Sequence, residues 1–418
     1  MKRILMAGLL SSLLLLTGCE DLAKPENEKA RGGILVTDLS AKAMKIALLE
    51  KNISLVNEDT TVYGQKAYKI PYTTTDANGH IVHVSGLMTV PVGVPIEIVE
   101  EKGLSLVNVS HSTIFKNSKA PSVNVAQNIV GSKTGIVFSA IFGFVTIEAD
   151  EIGFGDSKDA MHPFVVKTAL ANTNIDFIKA ARIFAEKNNI KLNNQLFLTG
   201  YSEGGHTALA TLEKIEAEQE MNVTMAMPIS GPYKISTMMT NAMASETLTV
   251  PSFILNTVYA YSHTYGEKLS DFVQEPYLSR VDRLFNKSFD GAEINAALTD
   301  KTTGAGGLFV ESFINDLKEN PDAFFVNATK ANDLDQWAPQ TAVQFLHCIG
   351  DEVIPVSIAE DTVNNMIDMG AKDIKFLTVE VLATHKTSVR YTHEECSRPS
   401  FGVSAVLLST ARKATIGY

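Results

Sequence analysis

Short apolar runs, most of them separated by helical patterns, recur along most of the chain, and that alternation leaves few architectures open. Leu104 to Val109 is rich in Val and Leu, as suits a strand buried on both faces. Similar runs stand at Phe144 to Ile147, Leu196 to Thr199, Val223 to Met227, Val343 to His347 and Ile374 to Val381. Helical patterns at residues 164–187, 203–219, 357–369 and 400–413 lie between or after them. Strand and helix in alternation build a doubly wound, mostly parallel sheet with helices on both faces, an α/β fold. Upstream, residues 62–74 and 81–91 alternate apolar and polar around the turn residues Asp76-Ala77-Asn78-Gly79, which predicts an antiparallel hairpin and brings the expected sheet to eight strands.

One interval breaks the rhythm. From Gly231-Pro232 to about Gln336 the chain carries helical patterns, many Phe, Tyr and Met, and no convincing strand. It reads as a helical cap, residues 231–336, inserted after the sixth strand and dividing the core into residues 34–230 and 337–418. Phe253, Tyr259, Tyr261, Phe272, Tyr277, Phe285 and Phe313 are available either to pack on one another or to line an acyl pocket.

The N-terminus points to export. Met1-Lys2-Arg3 and the apolar run Ile4 to Leu16 have the charged start and short greasy stretch of a signal peptide, too short to span a bilayer. The run ends in Leu16-Thr17-Gly18-Cys19, which resembles a bacterial lipobox. The expectation is therefore a signal peptide over residues 1–18, a mature N-terminus at Cys19 acylated by diacylglycerol and a fatty acid such as palmitate, and a flexible tether over 19–33. This predicts a membrane-anchored lipoprotein of the bacterial cell envelope, with inner and outer membrane both open. The net charge of -11 and the lack of a basic cluster argue against nucleic acid as a partner. Gly135 to Ile147, the greasiest later segment, is interrupted by Ser139, Gly143 and Thr146 and reads as buried core. With Cys19 acylated, Cys348 and Cys396 remain for one disulfide in an oxidising compartment.

The strongest chemical signal is Gly200-Tyr201-Ser202-Glu203-Gly204-Gly205. It follows a buried strand and opens a helix, the context in which such a motif forms a nucleophile elbow with Ser202 at its tip. A Ser hydroxyl near neutral pH needs a base within hydrogen-bond reach and an acid to orient the base, in the chain order Ser, acid, His. Asp351, in Gly350-Asp351-Glu352 directly after the run Val343 to His347, is the candidate acid, ahead of Glu352. Two candidates remain for the base, His393 and His385. The cysteines favour His393, because Cys348 lies three residues before Asp351 and Cys396 three after His393, so a bridge would staple the acid loop to the base loop. His206 reads as core of the elbow helix, and His80 and His83 as hairpin residues. Acyl transfer also needs backbone NH groups for the oxyanion. Glu203 is expected to supply one, and the loop His111-Ser112-Thr113 after Leu104 to Ser110 the other, from Thr113 or else Ser112.

Several motifs together resemble one family. Tyr72-Thr73-Thr74-Thr75-Asp76 to Pro91, His111-Ser112-Thr113-Ile114-Phe115 to Pro121-Ser122, Asp150-Glu151-Ile152-Gly153-Phe154-Gly155-Asp156-Ser157, and His162-Pro163-Phe164 are similar to bacterial α/β-hydrolases of the secretory-lipase-like and esterase type. The elbow, Gly231-Pro232-Tyr233, Trp337-Ala338-Pro339, the Gly-Asp loop and His393 to Pro399 extend the resemblance over nearly all of residues 60–413. It implies the α/β-hydrolase fold and a Ser202, Asp351, His393 triad that acts on small-molecule or lipid esters through an acyl-enzyme, with no metal or organic cofactor. The chain departs from the family where His-Gly is more usual than His111-Ser112, and in an insertion containing Lys386 to Tyr391 before the last His. A serine peptidase of the same fold and a non-catalytic lipid-binding lipoprotein are the competing readings.

Overall fold

A computed structural model describes residues 32–50, 55–127 and 133–418. The signal segment, Cys19 and nearly all of the expected tether lie outside the described residues.

The chain forms one sheet from β1 (Ile34–Leu39), β2 (Gly64–Thr75), β3 (Ile81–Val92), β4 (Leu104–Ser110), β5 (Val145–Ala149), β6 (Leu192–Tyr201), β7 (Met225–Ile229), β8 (Val343–His347) and β9 (Ile374–Thr378). Their order is β1-β2-β3-β5-β4-β6-β7-β8-β9, antiparallel as far as the β3–β5 pair and parallel from β5 onward. The sheet thus has nine strands, not eight. The additional strand, β1, pairs with β2 along one edge only and leaves Ile34 and Leu35 exposed, so it lacks the signature of a strand buried on both faces. By contrast β4 and β5 are buried at every residue, which is why they read as apolar-rich runs with no exposed polar face. The β2–β3 hairpin closes where Asp76 Oδ1 accepts from the backbone NH groups of Asn78 and His80 at 2.8 and 2.9 Å.

The helices that carry the argument are α1 (Ala41–Glu50), α2 (Lys167–Lys187), α3 (Glu203–Glu218), α4 (Ile235–Ala244), α5 (Pro251–Tyr265), α6 (Glu311–Glu319), α7 (Phe324–Ala331), α8 (Val356–Asp368), α9 (Val379–Thr384) and α10 (His393–Ile416). On one face of the sheet, Phe177, Ile178 and Phe184 of α2, Leu209 and Leu212 of α3 and Met366 of α8 close over the strands. On the other, Met44 and Leu48 of α1, Phe138, and Phe401 and Leu408 of α10 do the same. Most of these helices keep an exposed face, whereas α3 is buried on every side from Glu203 to Leu212, and the sheet is covered on both sides as a doubly wound α/β fold requires.

Two ends differ from expectation. The run Ile374 to Val381 leaves the strand at Thr378, and α9 begins at Val379. The last helix starts at His393 rather than near residue 400: Thr392 accepts from the Glu395 NH while the Glu395 carboxylate accepts from the Thr392 NH, a capping box that outweighs Pro399 inside the helix.

Residues 231–336 add no strand to the sheet and are mainly helical. Met239 of α4, Leu255 and Tyr261 of α5, Phe313 of α6 and Phe325 of α7 form an apolar cluster that also takes in Phe164 to Val166 from the sheet part of the chain. The insertion is thereby fastened over the carboxyl edge of the sheet. Among the described residues, no helix is long and apolar enough to cross a membrane.

Candidate active site

Strand order reverses around β4, whose neighbours β5 and β6 lead the chain in opposite directions, so their carboxyl ends splay and leave a crevice. Ser110 ends β4 and Ser202 follows β6 at that crevice. Ser202 sits at φ 59° and ψ -122°, a strained conformation held because β6 must turn directly into α3. The turn is possible only without side chains beside it. A Cβ on Gly204 would lie 2.1 Å from the Ser110 carbonyl oxygen, and one on Gly205 2.5 Å from that of Ile229.

Ser202 Oγ lies 2.9 Å from His393 Nε2, and His393 Nδ1 lies 2.7 Å from Asp351 Oδ2. The Asp351 side chain is fully buried, and His393 is partly buried. A carboxylate can only accept, so Nδ1 carries the proton toward Asp351 and the neutral imidazole presents a bare Nε2 to the Ser202 hydroxyl. Asp351 is oriented in turn by the NH groups of Val353 and Ile354, which donate to Oδ1 at 3.1 and 2.8 Å. Glu352 accepts from the His393 NH at 2.9 Å, so it supports the backbone of the His and does not face the imidazole's Nδ1. The Cys348–Cys396 disulfide is formed, with 6.0 Å between Cα atoms, and ties the end of β8 to the first turn of α10.

Beside Ser202 opens a cavity of about 420 Å³ between the sheet edge and the helical insertion. Ile235, Met238, Met239, Phe253 and Ile254 give it an apolar wall, and Thr113, Ser202 and Glu203 line it as well. Glu203 is the first residue of α3, so its NH has no acceptor within the helix. Thr113 lines the cavity, whereas the Ser112 carbonyl lies 2.8 Å from His111 Nδ1. Of the expected aromatic residues, Phe253 lines this cavity, while Tyr261, Phe272, Phe285 and Phe313 are buried in the cluster of the insertion. His385 is an exposed helix end in the left-handed region, φ 55°, and touches neither Ser202 nor Asp351. His206 is buried and held down to about pKa 4 by burial, which keeps it neutral, with Nε2 3.2 Å from the Asn332 carbonyl.

Solved structures share this fold. A candidate hydrolase of Legionella pneumophila is similar at TM-score 0.77 and 21% identity, over 91% of this chain and 98% of that one. The rice cell wall degrading esterase LipA from Xanthomonas oryzae is similar at TM-score 0.73 and 22% identity, over 92% and 98%. Candida antarctica lipase A in its closed state is similar at TM-score 0.60 and 15% identity, over 84% and 76%. No family model and no curated protein matches the sequence.

Four side chains that sequence reasoning gave no role stand around the site. Tyr201 donates its hydroxyl to the His393 carbonyl, and burial raises its pKa so that it stays protonated. Glu380 is buried and accepts the Ile349 NH at 2.7 Å and the Gly350 NH at 3.3 Å, which shapes the loop that carries Asp351. His162 is buried against Glu203, with Nε2 2.7 Å from Oε1. Glu151, in the left-handed region at φ 65°, is buried beneath them and bonded to Asn174 Nδ2 at 2.8 Å. Among the described residues no cluster of His, Cys, Asp or Glu could hold a metal ion.

Proposed function

We propose that the protein is a serine carboxylic ester hydrolase, an esterase or lipase that works through an acyl-enzyme. The observation that carries this is the continuous hydrogen-bonded line from Ser202 Oγ through His393 to Asp351, opening on an apolar-walled cavity. In the first step His393 Nε2 takes the Ser202 proton as Oγ attacks the ester carbonyl, and Asp351 stabilises the imidazolium that results. The NH groups of Glu203 and Thr113 receive the developing oxyanion. His393 then returns the proton to the departing alcohol, and water repeats the sequence to release the acid. Each step needs only this chain's own groups and water. The likeness in fold to LipA and to lipase A supports the ester class.

The Leu16 to Cys19 motif supports a further part of the reading, an exported lipoprotein held to the cell envelope through Cys19. A line of donor and acceptor groups poised for proton transfer favours turnover over a purely lipid-binding role. The test is hydrolysis of p-nitrophenyl esters from short to long acyl chains by wild type, Ser202→Ala, His393→Ala and His385→Ala. Loss of nucleophile or base is expected to cost on the order of 10⁶ in kcat, and loss of His385 little. Long-chain analogues that bind without being hydrolysed by wild type would replace the enzyme reading with the binding one.

A further inference from the structure

Glu203 is an unusual residue to find beside an oxyanion hole. Its carboxyl group is buried, its backbone NH is the expected oxyanion donor, and an unpaired negative charge there would oppose the charge that develops on the substrate. The surroundings resolve this. His162 Nδ1 lies 2.8 Å from the Ile152 carbonyl oxygen and Nε2 lies 2.7 Å from Glu203 Oε1, both side chains being buried. A carbonyl oxygen can only accept, so Nδ1 bears a proton. The 2.7 Å contact to the carboxyl group then needs a proton between Nε2 and Oε1, whichever atom it sits nearer. In either arrangement the pair is electrically neutral. Beyond His162, the Glu203 carboxyl is met by the Thr113 side chain and the His111 ring, and His162 is its principal compensation.

We propose that the buried Glu203–His162 pair is a positioning device for the oxyanion hole, which fixes the Glu203 NH at the start of α3 and balances the charge of the carboxyl beside it. The inference rests on the reading of Ser202 as nucleophile. His162 touches no reacting atom and acts through Glu203. It is anchored at its other nitrogen to the loop after β5 and packs on Phe154 at 5.0 Å between ring centres, so it ties that loop to the elbow. The other titratable groups facing Glu203 are His111, Glu151 and His206, with His393 across Ser202. Burial by itself would push the Glu203 carboxyl upward. The charge and hydrogen bond of His162, with help from His111 and a hydrogen bond from the Thr113 side chain, hold it below the ordinary range.

A merely structural His162 and a charge-balancing one differ in how kcat depends on pH. Without its cation, the buried Glu203 carboxyl rises in pKa and titrates within the working range. Above that pKa it stands charged beside the oxyanion, so kcat falls. The experiment measures kcat and KM for p-nitrophenyl butyrate from about pH 5.5 to 9 for wild type, His162→Leu, His162→Gln, Glu203→Gln and the double variant His162→Leu/Glu203→Gln. His162→Gln keeps a hydrogen-bond donor without a titratable charge, and so remains informative if the leucine variant folds poorly. The expected result is a loss of roughly 10- to 100-fold in kcat with a smaller change in KM for both His162 variants. Both should gain a fall in kcat toward alkaline pH that wild type lacks. Adding Glu203→Gln to His162→Leu should abolish that fall and recover part of the rate.

Profiles parallel to wild type in both His162 variants, or an alkaline fall that persists in the double variant, would overturn the proposal while leaving the Ser202 reading intact. Wild-type rates in Ser202→Ala would instead remove the reading on which it rests.

Discussion

Asp351 shows how much the proposed triad depends on a single side chain. Its Oδ2 fixes the tautomer of His393, and its Oδ1 is already committed to two backbone NH groups. Asp351→Asn keeps the shape but offers an NH where a carboxylate accepted, which favours the wrong tautomer of His393. A fall in kcat on the order of 10⁴ with little change in KM is expected from steady-state kinetics. Glu151 carries a pH dependence of stability instead. Burial, added to by the neighbouring Glu203 and Asp150 charges and opposed by Asn174, holds its carboxyl well above the ordinary range. The folded state therefore keeps a proton that the unfolded chain gives up. Its contribution to stability is full below the ordinary Glu pKa and is lost as pH rises through the raised value, at up to about 1.4 kcal/mol for each pH unit crossed. Glu151→Gln removes that penalty, so in thermal melts its Tm advantage over wild type should be absent near pH 4.5 and grow toward pH 8; an advantage that does not grow with pH contradicts this. Ser202 and Asp351 could be singled out in the sequence because each follows a strand in a fixed chain order, and the spacing of Cys348 and Cys396 favoured His393 over His385 as the base. His162 and Glu380 could not. Their partners lie 41 and 31 residues away, and no local spacing marks a buried polar group whose bond is tertiary.

Between elements, the candidate active site depends on three junctions: β6 to α3, the end of β8, and the start of α10. The first permits no side chain at Gly204, where a Cβ would meet the Ser110 and His111 carbonyl oxygens at 2.1 and 2.7 Å, both of them backbone atoms that cannot swing away. Gly204→Ala should therefore push the elbow off the oxyanion loop and abolish turnover even where circular dichroism still shows a folded chain. The second and third junctions are joined by the Cys348–Cys396 bridge, which closes a loop of 48 residues. Chain-entropy arguments assign such a loop about 4 kcal/mol, with measured values more often 2–4. Cys348→Ser/Cys396→Ser is expected to lower the unfolding free energy by roughly that amount in denaturant titrations and to lower kcat, because His393 and Asp351 lose their covalent tie. The alternating strands and helices were legible because the central strands are buried on both faces and most of the helices on one. The edge strand β1 and the start of α10 were not: one is half-exposed, and the other begins with a capping box at Thr392 and Glu395 that Pro399 masks.

Over the whole molecule, the sheet edge supplies the proposed reacting groups and the insertion supplies most of the wall they face. Ile254 of α5 belongs to that wall. Ile254→Trp should shorten the acyl chain that the cavity accepts, lowering kcat/KM for long p-nitrophenyl esters about tenfold relative to acetate, a difference of about 1.4 kcal/mol. If the optimum does not move, the acyl chain runs elsewhere. The proposed anchor belongs to this scale as well: Cys19→Ser should shift the protein from the membrane to the soluble fraction of lysed cells, and an unchanged distribution would remove the lipoprotein reading. The central claim, that Ser202 is an activated nucleophile, is tested most directly by intact-protein mass spectrometry after exposure to an alkyl fluorophosphonate. The structure predicts a single adduct, mapped to Ser202 by peptide analysis, absent in Ser202→Ala and much slower to form in His393→Ala. Ester hydrolysis that persists in Ser202→Ala, or an adduct on another residue, would contradict it.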